Sequence, residues 1–132
     1  MGFTIYWTAI PTNSADTFTA FEDHAMKLLH QENLNIQANY VTKFIFNGKY
    51  TRCQPFRTTP LSNGPNSCDT GRYSYTADVR TACILMVEYG LARKLSDDSG
   101  LGDDWIVALN EINTQTPLKT YQAQMNYFLT LG

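Results

Sequence analysis

The run Ala82-Cys83-Ile84-Leu85-Met86-Val87 constrains this chain more than any other segment. A helix drawn through it is apolar on nearly every side, and such a helix has to sit at the centre of its domain. Immediately upstream lies a polar, glycine-containing loop, Cys68-Asp-Thr-Gly-Arg-Tyr-Ser-Tyr75. A loop that feeds a central helix is held against the core. Arg72, Tyr73 and Tyr75 are therefore expected at fixed places, which makes them candidate binding residues.

The remaining pattern describes an α+β chain. Phe3, Ile5, Trp7 and Ala9 alternate with polar residues, the spacing of a half-buried strand. Ser14 is a plausible N-cap, and Phe18, Phe21, Ala25, Leu28 and Leu29 fall in one helical stripe that runs to about Gln31. Residues 35–46 alternate again, and Asn47-Gly48 then supplies a two-residue hairpin signal. That turn sets Phe46 against Lys49, Phe44 against Thr51 and Lys43 against Arg52. Like charges directly across a ladder repel, so Lys43 and Arg52 either splay into water or share an anionic partner. Gln54 to Ser67, with three prolines and a glycine, reads as a long loop. The central helix starts near Ser74 or Thr76 and extends as far as Lys94, with Gly90 as a C-cap or a kink. A second loop, 97–104, precedes a helix in which Trp105, Leu109 and Ile112 share a face. Thr116-Pro117 opens a last helix, with Tyr121, Met125, Phe128 and Leu129 pointing inward. The expected fold is a small, mainly antiparallel sheet (strand, helix, hairpin) followed by about three helices on one face, all in a single domain over residues 1–132.

Charge is distributed unevenly. Between Val41 and Arg80 there are six basic residues against Asp69 and Asp78, a net of +4 within a chain whose formal charge is −2. A basic block on an acidic body describes one face that prefers anions. Three cysteines at irregular spacing do not make a disulfide framework. They read as reduced thiols in a reducing, cytoplasmic compartment, with a Cys53–Cys68 bridge as the alternative. No apolar run is long enough to cross a bilayer, so no membrane partner is expected.

Most catalytic motifs are missing. There is no P-loop, nucleophile elbow or dinucleotide fingerprint. His24 and His30 lie six apart on one helix and do not converge, and no Cys-x-x-Cys occurs, so neither metal nor cofactor is expected. Cys68 near an arginine has the makings of an activated thiol, but it lacks an obvious histidine partner. An Arg72–carboxylate pair with Asp97, Asp98 or Asp103 would clamp the two loops together.

The segment Cys68-Asp-Thr-Gly-Arg-Tyr-Ser-Tyr75 ahead of an apolar helix resembles a Cys-x-Thr-x-Arg-x-x-Tyr pattern. That pattern belongs to a loosely defined group of small bacterial and viral proteins of uncharacterised function. The group carries a Ser-Asp-Gly-acidic-Trp segment after the helix, and Ser96 to Trp105 is similar with a short insertion. The resemblance implies that the two loops belong together. Its viral members raise the expectation of a virus-encoded protein working inside a host cell, and it brings no activity.

Lys43, Tyr50, Arg52, Arg57, Arg72, Tyr73 and Tyr75 make up a surface of cations and rings. Such a surface suits a protein or an anionic small molecule, and more weakly a single-stranded nucleic acid. The expected function is non-enzymatic binding through the hairpin and the loops at 54–75, with no catalytic residue. The alternative is a small enzyme on a nucleotide or phosphate-containing substrate. There Lys43, Arg52 and Arg72 hold phosphate, and Asp97 or Asp98 acts as base or metal ligand.

Overall fold

Alternation at the amino end does produce a strand. In the computed structural model, β1 (Thr4–Ala9) buries Ile5, Trp7 and Ala9 on one side and pairs on both edges. The structure describes residues 3–39, 42–49, 51, 53–71, 73–98, 102–115 and 117–118. The fold is α+β, with two three-stranded antiparallel sheets and, among the described residues, three α-helices.

Helix α1 (Ala15–Leu28) starts where Ser14 caps it, its side-chain oxygen accepting from the Thr17 amide at 3.1 Å. A short 3-10 turn, Gln31–Asn33, leads into β2 (Leu34–Asn39), which pairs with β3 (Lys43–Gly48). Strand β3 also pairs with the three-residue β4 (Phe56–Thr58). Strand β5 (Gly64–Asp69) runs beside β1, followed by α2 (Thr76–Glu88), β6 (Ala92–Asp97) on the other edge of β1, and α3 (Asp103–Gln115).

The central helix is central. Val79 and Ala82 to Val87 are buried, and α2 touches α1, α3, β1 and β6. A single apolar cluster joins all of these elements. Phe44, Phe46 and Phe56 form the inner face of the second sheet, with Phe46 stacked on Phe56 at 5.0 Å. Phe21 of α1 meets Phe44 edge-on at 5.6 Å, and Trp7 lies 5.3 Å from Phe56 and links the two sheets. Each buried ring of this kind stabilises the fold by about 1.5–3 kcal/mol relative to exposure.

Four expectations need correction. The hairpin turn is not at Asn47-Gly48: β3 pairs backwards with β2, so that Leu34 faces Gly48, Ile36 faces Phe46 and Ala38 faces Phe44. Burial decides this. The expected register would have put Lys49 opposite Phe46 on a face where Phe46 is wholly buried, and an uncompensated buried ammonium costs several kcal/mol. Lys43 consequently faces Asn39, not Arg52. Asn47 uses its side chain locally, accepting from the Gly48 amide and donating to the Cys53 carbonyl.

The stretch expected as loop contains β4 and β5, and Pro65 is admitted because β5 is an edge strand. The central helix stops six residues before Lys94. Gly90, at φ 74°, closes a Schellman motif in which the Gly90 amide reaches Val87 O and the Leu91 amide reaches Met86 O. The expected single sheet is two. The last expected helix and its inward-pointing residues lie outside the described residues.

Candidate functional site

The loop before α2 is tied down as its position in the sequence requires. Asp69 Oδ1 accepts from the amides of Phe3 and Gly71, and the Thr70 amide donates to Phe3 O at 2.8 Å. Thr76 Oγ1 donates to Thr70 Oγ1 at 2.7 Å, across a contact that is fully enclosed. These bonds fasten the loop to the start of β1 and to the first turn of α2.

Tyr73 and Tyr75 diverge. Tyr73 is 51% exposed. Tyr75 is only 1% exposed, and its hydroxyl is shared between the carbonyls of Gln54 (2.8 Å) and Asp69 (3.3 Å). Burial drives the Tyr75 hydroxyl far above the usual phenol range. Tyr75 is thus a core residue that braces the loop, and it offers a partner no polar group.

A cleft of about 160 Å³ opens where the loop meets the second sheet. Lys49, Thr51, Tyr73 and Ser74 line it together with Asn33, Gly48 and the ring of Tyr75. The amino end of α2 adjoins it. That helix has no side-chain N-cap, and its Thr76 and Ala77 amides donate instead to the carbonyls of Tyr73 and Ser74. A cation, a ring and three side chains able to hydrogen-bond therefore converge on one concave place.

Lys43 and Arg57 lie elsewhere. Both are exposed on the outer face of the second sheet, where Arg57 faces Ile45 and Lys43 is a diagonal neighbour. The three strands of that sheet contain no Asp or Glu. Tyr50, Arg52 and Arg72 lie outside the described residues. The structure thus divides the expected surface into a cleft that contains Tyr73 and a separate cationic face that contains Lys43 and Arg57.

Three polar features were not foreseen. Glu22 is fully buried, and among the described residues neither of its carboxylate oxygens has a hydrogen-bond partner. Burial, aided by Asp23, pushes its carboxyl up to about 7. The signal was available, because Glu22 falls four residues after Phe18 and three before Ala25, inside the apolar stripe. Arg80, 8% exposed, donates from Nη2 to Asp97 Oδ2 at 3.3 Å, with Asp104 at 3.5 Å. Its guanidinium lies over the rings of Phe3 and Trp105. Arg80 therefore takes the Asp97 carboxylate considered for Arg72. His30 Nδ1 meets Asp78 Oδ1 at 3.0 Å, and the same oxygen accepts the His30 amide. His30 borders a groove between α2 and α3 that Arg80, Thr81, Asp104 and Glu111 also line.

Thiol chemistry at Cys68 finds no support. All three cysteines are free, Cys68 is buried in β5, and burial pushes its thiol up to about 12. His24 contacts Tyr89, not Cys68. Among the described residues no group of three or more His, Cys, Asp and Glu is placed to hold a metal ion. No helix among them is long and apolar enough to cross a membrane. Comparison of the chain with family models, with curated proteins and with solved structures gives no match.

Proposed function

We propose that this protein works by binding an anionic small molecule in the cleft between the end of β3 and the amino end of α2. The observation that carries this is the convergence of Lys49, Tyr73, Thr51 and Ser74 around one concave space of about 160 Å³. Lys49 supplies the charge, the hydroxyls supply directed hydrogen bonds, and Tyr73 supplies a face for stacking. The volume fits a phosphate or carboxylate head and part of a ring.

What weighs against the enzyme alternative is that both carboxylates considered as its base are engaged in contacts between elements. Asp98 accepts the Thr4 amide and the Tyr6 hydroxyl, each at 2.9 Å, and Asp97 is engaged by Arg80 and Trp105. Both carboxylates are committed to holding β1, β6, α2 and α3 together. A second reading, an acidic protein partner, is favoured by one observation: the outer face of the second sheet presents Lys43 and Arg57 with no carboxylate in its three strands.

Calorimetric titration with inorganic phosphate and with a nucleoside monophosphate tests the first reading. Lys49→Gln should weaken binding about tenfold, the value of one charge-assisted hydrogen bond. Tyr73→Ala should weaken the nucleotide more than phosphate. Absence of heat and of thermal stabilisation with every anion would remove the small-molecule reading and leave the cationic face.

A further inference from the structure

Among the described residues the two sheets have four edge strands, and three of them are guarded. Strand β4 has only three residues. Strand β5 carries Pro65 and ends in Asp69. Strand β6 carries the exposed pair Arg93-Lys94 and is distorted, with Lys94 at φ 57° and a register shift opposite Trp7. Short length, proline, charge and bulges are the devices that keep a sheet edge from pairing with another chain.

Strand β2 has none of them. Leu34-Asn-Ile-Gln-Ala-Asn39 has no charge and no proline, and it keeps an unbroken six-residue register with β3. In an antiparallel ladder, alternate residues turn their N–H and C=O groups away from the partner strand. The outward-turned backbone groups of β2 make no hydrogen bond among the described residues. Asn35, Gln37 and Ala38 are exposed, and Ile36 is only partly covered.

We infer that β2 is a self-pairing edge, and that two copies of this chain join antiparallel through it to form a continuous six-stranded sheet. A second copy is the occupant because the strand complements itself. About a two-fold axis at Ile36, Ile36 meets its counterpart and Leu34 meets Ala38 on the inner face, while Asn35 meets Gln37 on the outer face. The inner pairs cover the apolar atoms that β2 now leaves open, and the outer pairs match amide to amide. No like charges oppose each other in this register. An extended peptide would add the same backbone bonds, but none of the clefts described above is lined by a β2 residue, so nothing there would read its side chains.

Sedimentation velocity of the full chain over a concentration series tests this, beside the double variant Asn35→Lys/Gln37→Lys. Both positions are exposed, so the fold is retained, which circular dichroism checks. The pairing then sets lysine opposite lysine twice. The expected result is a reversible wild-type dimer and a variant whose association is weaker by about tenfold or more. Amide hydrogen exchange on the wild type should show β2 gaining protection as concentration rises. A wild type that remains monomeric, or a variant that dimerises unchanged, overturns the inference. So does β2 protection that appears only on adding an extended peptide.

Discussion

The indole Nε1 of Trp105 donates to Asp97 Oδ2 at 2.9 Å, and this bond fastens the first turn of α3 to the end of β6. The same oxygen takes Arg80 Nη2 from α2. One carboxylate thus closes the junction of three elements in a largely dry place. Asp97→Ala should destabilise the protein by about 3–5 kcal/mol, because it leaves the Arg80 guanidinium buried without its main partner. Trp105→Phe should cost less through lost hydrogen bonding, about 1 kcal/mol, since Asp97 keeps Arg80. Urea unfolding of both variants measures the difference.

Glu22 makes stability depend on pH. A carboxyl whose folded pKa lies above its unfolded value favours the native state when protonated. Its contribution is most favourable below about pH 4.5 and is lost as the pH rises towards about 7, the position to which burial lifts Glu22. Glu22→Gln should therefore be more stable than wild type at pH 8, by about 2 kcal/mol, and close to wild type at pH 5. Unfolding midpoints at the two pH values show whether the gain is confined to the higher one.

Tyr75→Phe and Tyr73→Ala should separate bracing from binding. Removing the Tyr75 hydroxyl takes one donor from the carbonyls of Gln54 and Asp69, which keep the Cys68 thiol and the Gln54 amide respectively, and should cost about 1 kcal/mol of stability. Anion affinity should stay near that of wild type. Tyr73→Ala should leave stability within about 0.5 kcal/mol. Equal stability losses in the two variants would contradict the division.

Backbone conformation sets two opposite outcomes. Gly71 has φ 58°, and a Cβ there would lie 2.6 Å from Cys53 Sγ. Gly71→Ala should destabilise by about 2 kcal/mol or more, from the left-handed conformation and the clash together. Lys94 occupies the left-handed region without being glycine. Lys94→Gly should stabilise by up to about 1 kcal/mol by relieving that conformation. Thermal midpoints moving in opposite directions would bear this out.

Thiol labelling under native conditions should report burial. Cys68 and Cys83 are buried, with both thiols pushed well above the usual range by desolvation. Iodoacetamide at pH 8 should modify Cys53, which is partly exposed, and leave the other two until the chain unfolds. Mass spectrometry of the labelled chain reads the sites.

Properties carried by near neighbours along the chain could be read from the residues in order. The alternation at 3–9, the Ser14 cap, the apolar block of α2 and the shared face of Trp105, Leu109 and Ile112 all depend on residues close together along the chain, and each formed. The loop held against the core followed from the same logic, since a helix buried all round fixes whatever precedes it.

Pairing across the chain was decided by tertiary structure alone. Asn47-Gly48 is a strong turn signal, yet it yields because burying Lys49 beside Phe46 costs more than an ideal turn gains. Strand β5 carries little apolar character and exists because β1 needs a partner, here from a segment distant in the sequence, as in the pairing of Thr4 with Asp69. Asp78 with His30 and Asp97 with Arg80 and Trp105 arise where distant elements close on one another. Charge and ring content by themselves gathered seven candidate residues on one imagined surface. The fold placed Tyr73 at a cleft, Tyr75 in the core, and Lys43 with Arg57 on another face, because side-chain direction is set by strand register and packing, not by composition.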